Sequence, residues 1–294
     1  MRQKYFVELL LWMVVLIWAG NYTVGKFGMR ELPPALFTTL RFLIATPLLL
    51  LLLRWREGSL GFSRAALPRL VVVGVVGIAV YQTVFIAAVK YTTVTNVSLA
   101  RGASPIFTAL LAAACGQEKL SWRLLTSCLV AFAGLFLVIE YSPGEAGFGL
   151  HTPLGDFLAL AAGFLWGLYP ILATPLLKDR SALWVTGHSS AIGAIVLLVY
   201  AWPELAAADW PAVSWTAWAS LLYSAVPVTV VSLVAWYHGI EKSGANQVMI
   251  YMYLITPVAI LIAALTIGEQ VTLLQGVGAV ITMVGVWAAK RSSG

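Results

Sequence analysis

Charge is what this sequence has least of. Only 10% of its 294 residues are Asp, Glu, Lys or Arg, against 61% hydrophobic, and mean hydropathy is +0.90. A water-facing domain carries about 25% charged residues, so these ionic groups cannot coat a soluble surface. The chain reads as an all-α integral membrane protein. Its apolar runs are as long as a helical crossing requires and lack the ~10-residue alternating segments of a membrane barrel.

Other scarcities exclude whole classes of chemistry. Cys115 and Cys128 lack ligand spacing and read as small buried residues, and the three histidines, His151, His188 and His238, are scattered. No metal centre is expected. No GxxxxGK[ST] occurs, so a nucleotide does not drive the chain directly. Ser98 and Ser104 have no base placed beside them, so no catalytic residue, cofactor or enzymatic activity is expected. All twelve carboxylates, Glu118, Glu145, Asp156 and Glu269 among them, fall near span ends or in loops. A carrier trading protons for cationic drugs wants a buried acid, which argues against that mode.

What the sequence does have is a repeat. Tyr91–Gly116 and Lys242–Gly268 are both long apolar stretches with a small polar entry (Thr95-Asn96, Ala245-Asn246), a proline, then Gly with Glu close behind. Pro105 and Pro257 lie 152 residues apart, as do Gly116 and Gly268. At ~20 residues per crossing, ten spans are predicted: 6–25, 35–53, 67–89, 94–114, 122–140, 154–175, 183–202, 214–238, 246–267 and 272–289. The first begins after Arg2 and Lys4 but meets no small-residue cleavage site, and reads as a retained helix.

The basic residues check the count. With a cytoplasmic N-terminus, thirteen Lys and Arg fall in inside segments, three (Lys26, Arg30, Lys90) outside, and two (Arg41, Arg101) within spans. The positive-inside rule then places both termini in the cytoplasm. Topology thus accounts for the net charge of +6, and no nucleic-acid partner is needed. Two halves, 1–145 and 146–294, hold five spans each, and five being odd, the second copy is inverted. Trp18 answers to Trp166. Inverted repeats are a ground plan of secondary transporters, with a membrane receptor or scaffold as the alternative class.

The segments WAGNYTVGKFG (18–28), RFLIATPLLLLLL (41–53), 87–121 and its echo 238–272 resemble the drug/metabolite transporter superfamily, in its ten-span form built from two EamA repeats. The resemblance covers essentially the whole chain. It implies a cavity lined by spans 1, 3, 4 and 6, 8, 9, with spans 5 and 10 as supports. It implies export of small metabolites, amino acids foremost, across the inner membrane. A drug, sugar-phosphate or nucleotide-sugar carrier is the alternative. The expected partners are a small-molecule substrate and the lipid bilayer; the oligomeric state is not legible.

Arg101 is the sharpest candidate residue. A guanidinium at the centre of a span costs ~2.5–3.5 kcal/mol on insertion scales, so it must face protein or water. It can capture a substrate carboxylate by a charge-assisted pair, or serve structurally on carbonyls that Pro105 frees; the sequence leaves both open. Ser98, Arg101, Pro105 and Thr108 would share one helical face. Arg41 reads as an anchor. Trp18 beside Asn21, Tyr81 and Phe85 beside Gln82, Trp166 beside Tyr169, and Tyr253 complete the candidate substrate-binding set, an apolar wall with polar handles. Glycines such as Gly163 and Gly276 read as plain helix packing. Prolines 47, 105, 170, 175, 227 and 257 offer bends where half-helices could pivot.

Overall fold

A computed structural model describes residues 2–61, 64–142, 149, 152–268 and 270–292. Glu145, His151 and Glu269 lie outside the described residues. Among those described, ten helices are long and apolar enough to cross a membrane. Spans one to five are Tyr5–Met29, Pro34–Glu57, Leu67–Tyr91, Thr95–Ala114 and Trp122–Glu140. Spans six to ten are Pro153–Leu177, Ala182–Tyr200, Trp215–Ser243, Ala245–Thr266 and Leu273–Arg291.

Hydropathy locates these helices to within a few residues, except at the end of span eight. There the helix runs to Ser243, five residues past its apolar part. Its last turns are polar, with His238 Nδ1 3.6 Å from Glu241 Oε2 one turn on. Gly244, at φ +85°, stops it in a conformation that a side chain would resist. Apolarity marks the membrane-crossing part of a helix; capping and turn chemistry mark its end.

The helices gather into two compact units that do not coincide with the sequence halves. Unit one draws on residues 1–83 and 172–242, unit two on 84–171 and 243–294. In unit one, span two runs antiparallel to span seven. Thr39 Oγ1 donates to the Leu197 carbonyl at 3.2 Å, and ten residues further along span two, Leu49 borders Gly187. Span eight is laced to span one: Tyr223 Oη donates to the Ile17 carbonyl (3.1 Å) and Ser220 Oγ to that of Val24 (2.7 Å). In unit two, the most extensive pairing is between spans five and ten.

Two irregularities recur in both halves. Span three carries a π-helical segment at Val75–Val80, and span eight one at Ser224–Val231. Span four breaks at Ala103, between helices Val94–Gly102 and Ser104–Ala114. Span nine breaks at Ile250 and Tyr251, between Ala245–Met249 and Met252–Ile267. The third and fourth helix of each five are thus the interrupted ones. Such wide turns redirect backbone carbonyls and gather at functional sites.

Candidate functional site

The nine candidate residues divide between the units. Trp18, Asn21, Tyr81 and Gln82 belong to unit one; Phe85, Arg101, Trp166, Tyr169 and Tyr253 belong to unit two.

In unit one, the π-segment of span eight organises the candidates. Pro227 within it has no N–H to give, so the helical ladder is interrupted there. The carbonyl of the next residue, Val228, accepts the Trp18 indole N–H at 3.2 Å. Ser224 Oγ donates to Asn21 Oδ1 at 2.7 Å. The Trp18 ring lies 4.9 Å from that of Trp236. Tyr81 is buried and Gln82 half-buried; they directly follow the π-segment of span three. Ser224, Val228 and Trp236 do not stand out in the sequence. Pro227 is the available signal, and in one dimension it reads only as a bend.

In unit two, close packing of spans four and six builds the site. Gly155, Ala159, Gly163 and Gly167 recur every four residues along one face of span six, so helix backbones can approach. A Cβ at Gly163 would collide with the Ala100 carbonyl, and one at Gly167 would lie 2.7 Å from that of Ser104. Ser104 Oγ and Thr108 Oγ1 donate across the contact to the Gly163 and Gly167 carbonyls, each at 2.8 Å. That register sets Trp166, three residues after Gly163, against Arg101, one after Ala100.

The result is an arginine beside two rings. The Arg101 guanidinium carbon stands 5.6 Å from the Phe85 centroid and 5.9 Å from that of Trp166, within cation–π reach of both. Tyr169 extends the aromatic wall 5.8 Å beyond Trp166, and the Trp166 indole N–H points to Met252 Sδ at 3.4 Å. Tyr253 is only 1% exposed, its hydroxyl near the Cys128 thiol of span five.

The polar stripe expected along span four is not continuous. Because the helix breaks at Ala103, Ser98 and Arg101 end one segment while Thr108, on the next, turns its hydroxyl to span six. Asp156, expected simply at a span end, is engaged there: it accepts hydrogen bonds from Thr92 Oγ1 (2.5 Å) and Asn96 Nδ2 (2.7 Å). The Gly-x-Glu loop also gains a structural role. Gly116 turns the chain at φ +64°, Gln117 Nε2 donates to the Ile171 carbonyl (2.9 Å), and Glu118 accepts the Asn246 N–H (3.3 Å) at the start of span nine.

A cavity of about 510 Å³ in unit one is lined by none of these residues. Its walls include Leu32, Leu36 and Val213, and its carboxylates are Glu31, Glu204 and Asp209. Glu204 accepts the Leu36 N–H at 2.9 Å, so one of those acids holds a helix start.

Comparison with known proteins bears on what this arrangement does. The EamA-like transporter family matches residues 6–140 and 153–289. An uncharacterized transporter of Archaeoglobus fulgidus is 30% identical, over 95% of this chain and 96% of its own. A "Probable amino-acid metabolite efflux pump" of Salmonella typhimurium is 28% identical, over 97% and 94%. A "Probable terminal-alkyne amino-acid exporter" of Streptantibioticus cattleyicolor is 25% identical, over 95% and 91%. One solved crystal structure superposes with a TM-score of 0.82 at 17% identity, over 98% of this chain and 97% of that one, and shares the fold.

Proposed function

This chain belongs to the EamA-like transporter family, and from that premise we propose that it exports amino acids or similar amphipathic metabolites by alternating access. It is a multi-pass membrane protein of a transporter family, so its partners include a small molecule and lipid. We assign it to the inner membrane with both termini cytoplasmic, on the thirteen-to-three distribution of basic residues.

The observation that carries the substrate class is Arg101 beside both Phe85 and Trp166. A guanidinium offers a planar fork matched to a carboxylate, and the rings beside it suit an apolar side chain on the same molecule. An α-amino acid has both parts. Two relatives, one named a probable amino-acid exporter and one a probable amino-acid metabolite efflux pump, support the same class. Tyr169 extends the aromatic face; Tyr253 of span nine is a further candidate in unit two, and Trp18, Asn21, Tyr81 and Gln82 are candidates within unit one.

The test is efflux from proteoliposomes loaded with radiolabelled amino acids, comparing the unsubstituted protein with Arg101→Ala and Arg101→Lys. A hydrogen bond to a charged group contributes ~1.5–3 kcal/mol, so Arg101→Ala should raise the half-saturating concentration about tenfold or more. Arg101→Lys should recover part of that, since it keeps the charge without the fork. No efflux of any amino acid by the unsubstituted protein would reject the substrate class and turn attention to phosphorylated metabolites and drugs. Efflux indifferent to Arg101→Ala would reject the carboxylate contact alone.

A further inference from the structure

Spans five and ten meet along their length, and their register is fixed at several points. Thr272 Oγ1 donates to the Tyr141 carbonyl at 3.2 Å, Gln275 Nε2 to that of Val138 at 3.4 Å, and Thr282 Oγ1 to that of Ala131 at 3.4 Å. Gly285 sits against Ala131 so closely that a Cβ there would collide with its backbone. Each step forward along span ten is a step back along span five, so the pair is antiparallel. The start of span five and the end of span ten therefore lie at the same end of unit two.

Four cations collect there: Lys119 and Arg123 at the start of span five, Lys290 and Arg291 at the end of span ten. Two tryptophans project beside them, Trp122 at 72% exposure and Trp287 at 55%. The Arg291 guanidinium carbon lies 3.8 Å from the Trp287 ring centroid, which holds the side chain in place. Lys290 Nζ is directed to the Tyr251 ring at 5.4 Å. Neither helix brings an acid to this end. Span ten has none, and the sole carboxylate of span five is Glu140 at its far end; Glu118, just before Lys119, is an acid close by, and it is turned to the Asn246 N–H at the start of span nine.

A further contribution has the same sign. Span five starts here, and Ser121 Oγ caps only one of its first N–H groups, that of Leu124, at 3.3 Å. The other early N–H groups and the helix dipole favour an anion at this position. Exposed tryptophans at helix ends sit at headgroup depth in a bilayer, which brings these cations level with lipid phosphates.

We propose that this end of the span five–span ten pair binds the headgroup of an anionic phospholipid, with Arg123 and Arg291 on the phosphate and Trp122 and Trp287 flanking its glycerol and acyl region. The end of span two also carries a basic–aromatic run, Arg54-Trp55-Arg56, but there Arg54 donates to the Gly58 carbonyl of its own helix terminus. That run provides the control.

The experiment is native mass spectrometry of the detergent-purified full chain with added phosphatidylglycerol or phosphatidylcholine of the same acyl composition. Phosphatidylglycerol should be retained in preference to phosphatidylcholine, and less so as salt is raised from about 150 to about 500 mM, since salt screens charge at an exposed site. With a charge-assisted hydrogen bond to the phosphate worth about tenfold each, Arg123→Gln/Arg291→Gln should weaken that retention at least tenfold. Arg123→Lys/Arg291→Lys and Arg54→Gln/Arg56→Gln should leave it within about twofold. Equal retention of the two lipids, indifference to salt, or equal losses from both glutamine pairs would each overturn the proposal. The lipid and salt comparisons use the unsubstituted protein, so they stand even where a variant does not fold.

Discussion

At the scale of single residues, one exposed carboxylate is fixed in place by hydrogen bonds. Glu31, in the turn after span one, accepts from the Ser214 N–H (2.7 Å) and Ser214 Oγ (2.6 Å). Those two bonds hold its carboxyl below the usual value of 4.5, because they favour the ionised form. With a folded pKa below the unfolded one, the stabilisation is fully present above 4.5 and is lost as pH falls through the folded value. Ser214 also caps span eight, accepting from the Ala217 N–H at 3.3 Å. Glu31→Ala should therefore speed hydrogen exchange around residues 209–218 at neutral pH, and the difference from the unsubstituted protein should vanish in strong acid. A difference that persisted unchanged in acid would show that the carboxylate is not what holds the turn. None of this is legible in the sequence, since Glu31 and Ser214 stand 183 residues apart. Arg101 is, because an arginine inside an apolar run is conspicuous in one dimension. What surrounds Arg101 is only half legible: Trp166 and Phe85 are candidates on sequence, but nothing linear joins them to it.

At the scale of helices, that link is the small-residue face of span six. A small residue every four positions from Gly155 to Gly167 is visible in the sequence, yet nothing there gives Gly163 more than a packing role. Because a Cβ at Gly163 would collide with the Ala100 carbonyl, which is backbone and cannot swing aside, Gly163→Ala must push spans four and six apart. Overpacking of this kind costs about 1–3 kcal/mol. Gly163→Ala should lower the melting temperature in detergent and, by moving Trp166 from Arg101, reduce transport beyond what the lost stability explains. Gly276, which sequence alone puts in the same packing class, has nothing within 4 Å of the position a Cβ would take. Gly276→Ala should be neutral or stabilising, by up to ~1 kcal/mol from helix propensity alone. Equal melting temperatures for the two alanine variants would refute this distinction. Composition shows that a glycine can permit contact; only the register of the neighbouring helix shows that it does.

At the scale of the whole molecule, duplication is the most legible property and the exchange of spans the least. Trp18 and Trp166, Pro105 and Pro257, and Gly116 and Gly268 mark the repeat in the sequence, and the interruptions of spans three and four recur in the same order in spans eight and nine. Yet each compact unit takes spans from both halves, because apolar faces of similar composition do not encode their partners in hydropathy. The odd number of spans per half has a consequence for orientation. If both termini lie inside, as proposed, the connection between spans seven and eight is outside and the end of span four is inside. Cys115, at that end, is exposed, and Cys128 is buried. A membrane-impermeant maleimide should therefore label the unsubstituted protein only after cells are permeabilised. In a Cys115→Ser background, Asp209→Cys should be labelled in intact cells. The reverse pattern would invert the assignment, and labelling of both sites in intact cells would refute an odd number of crossings between residues 115 and 209.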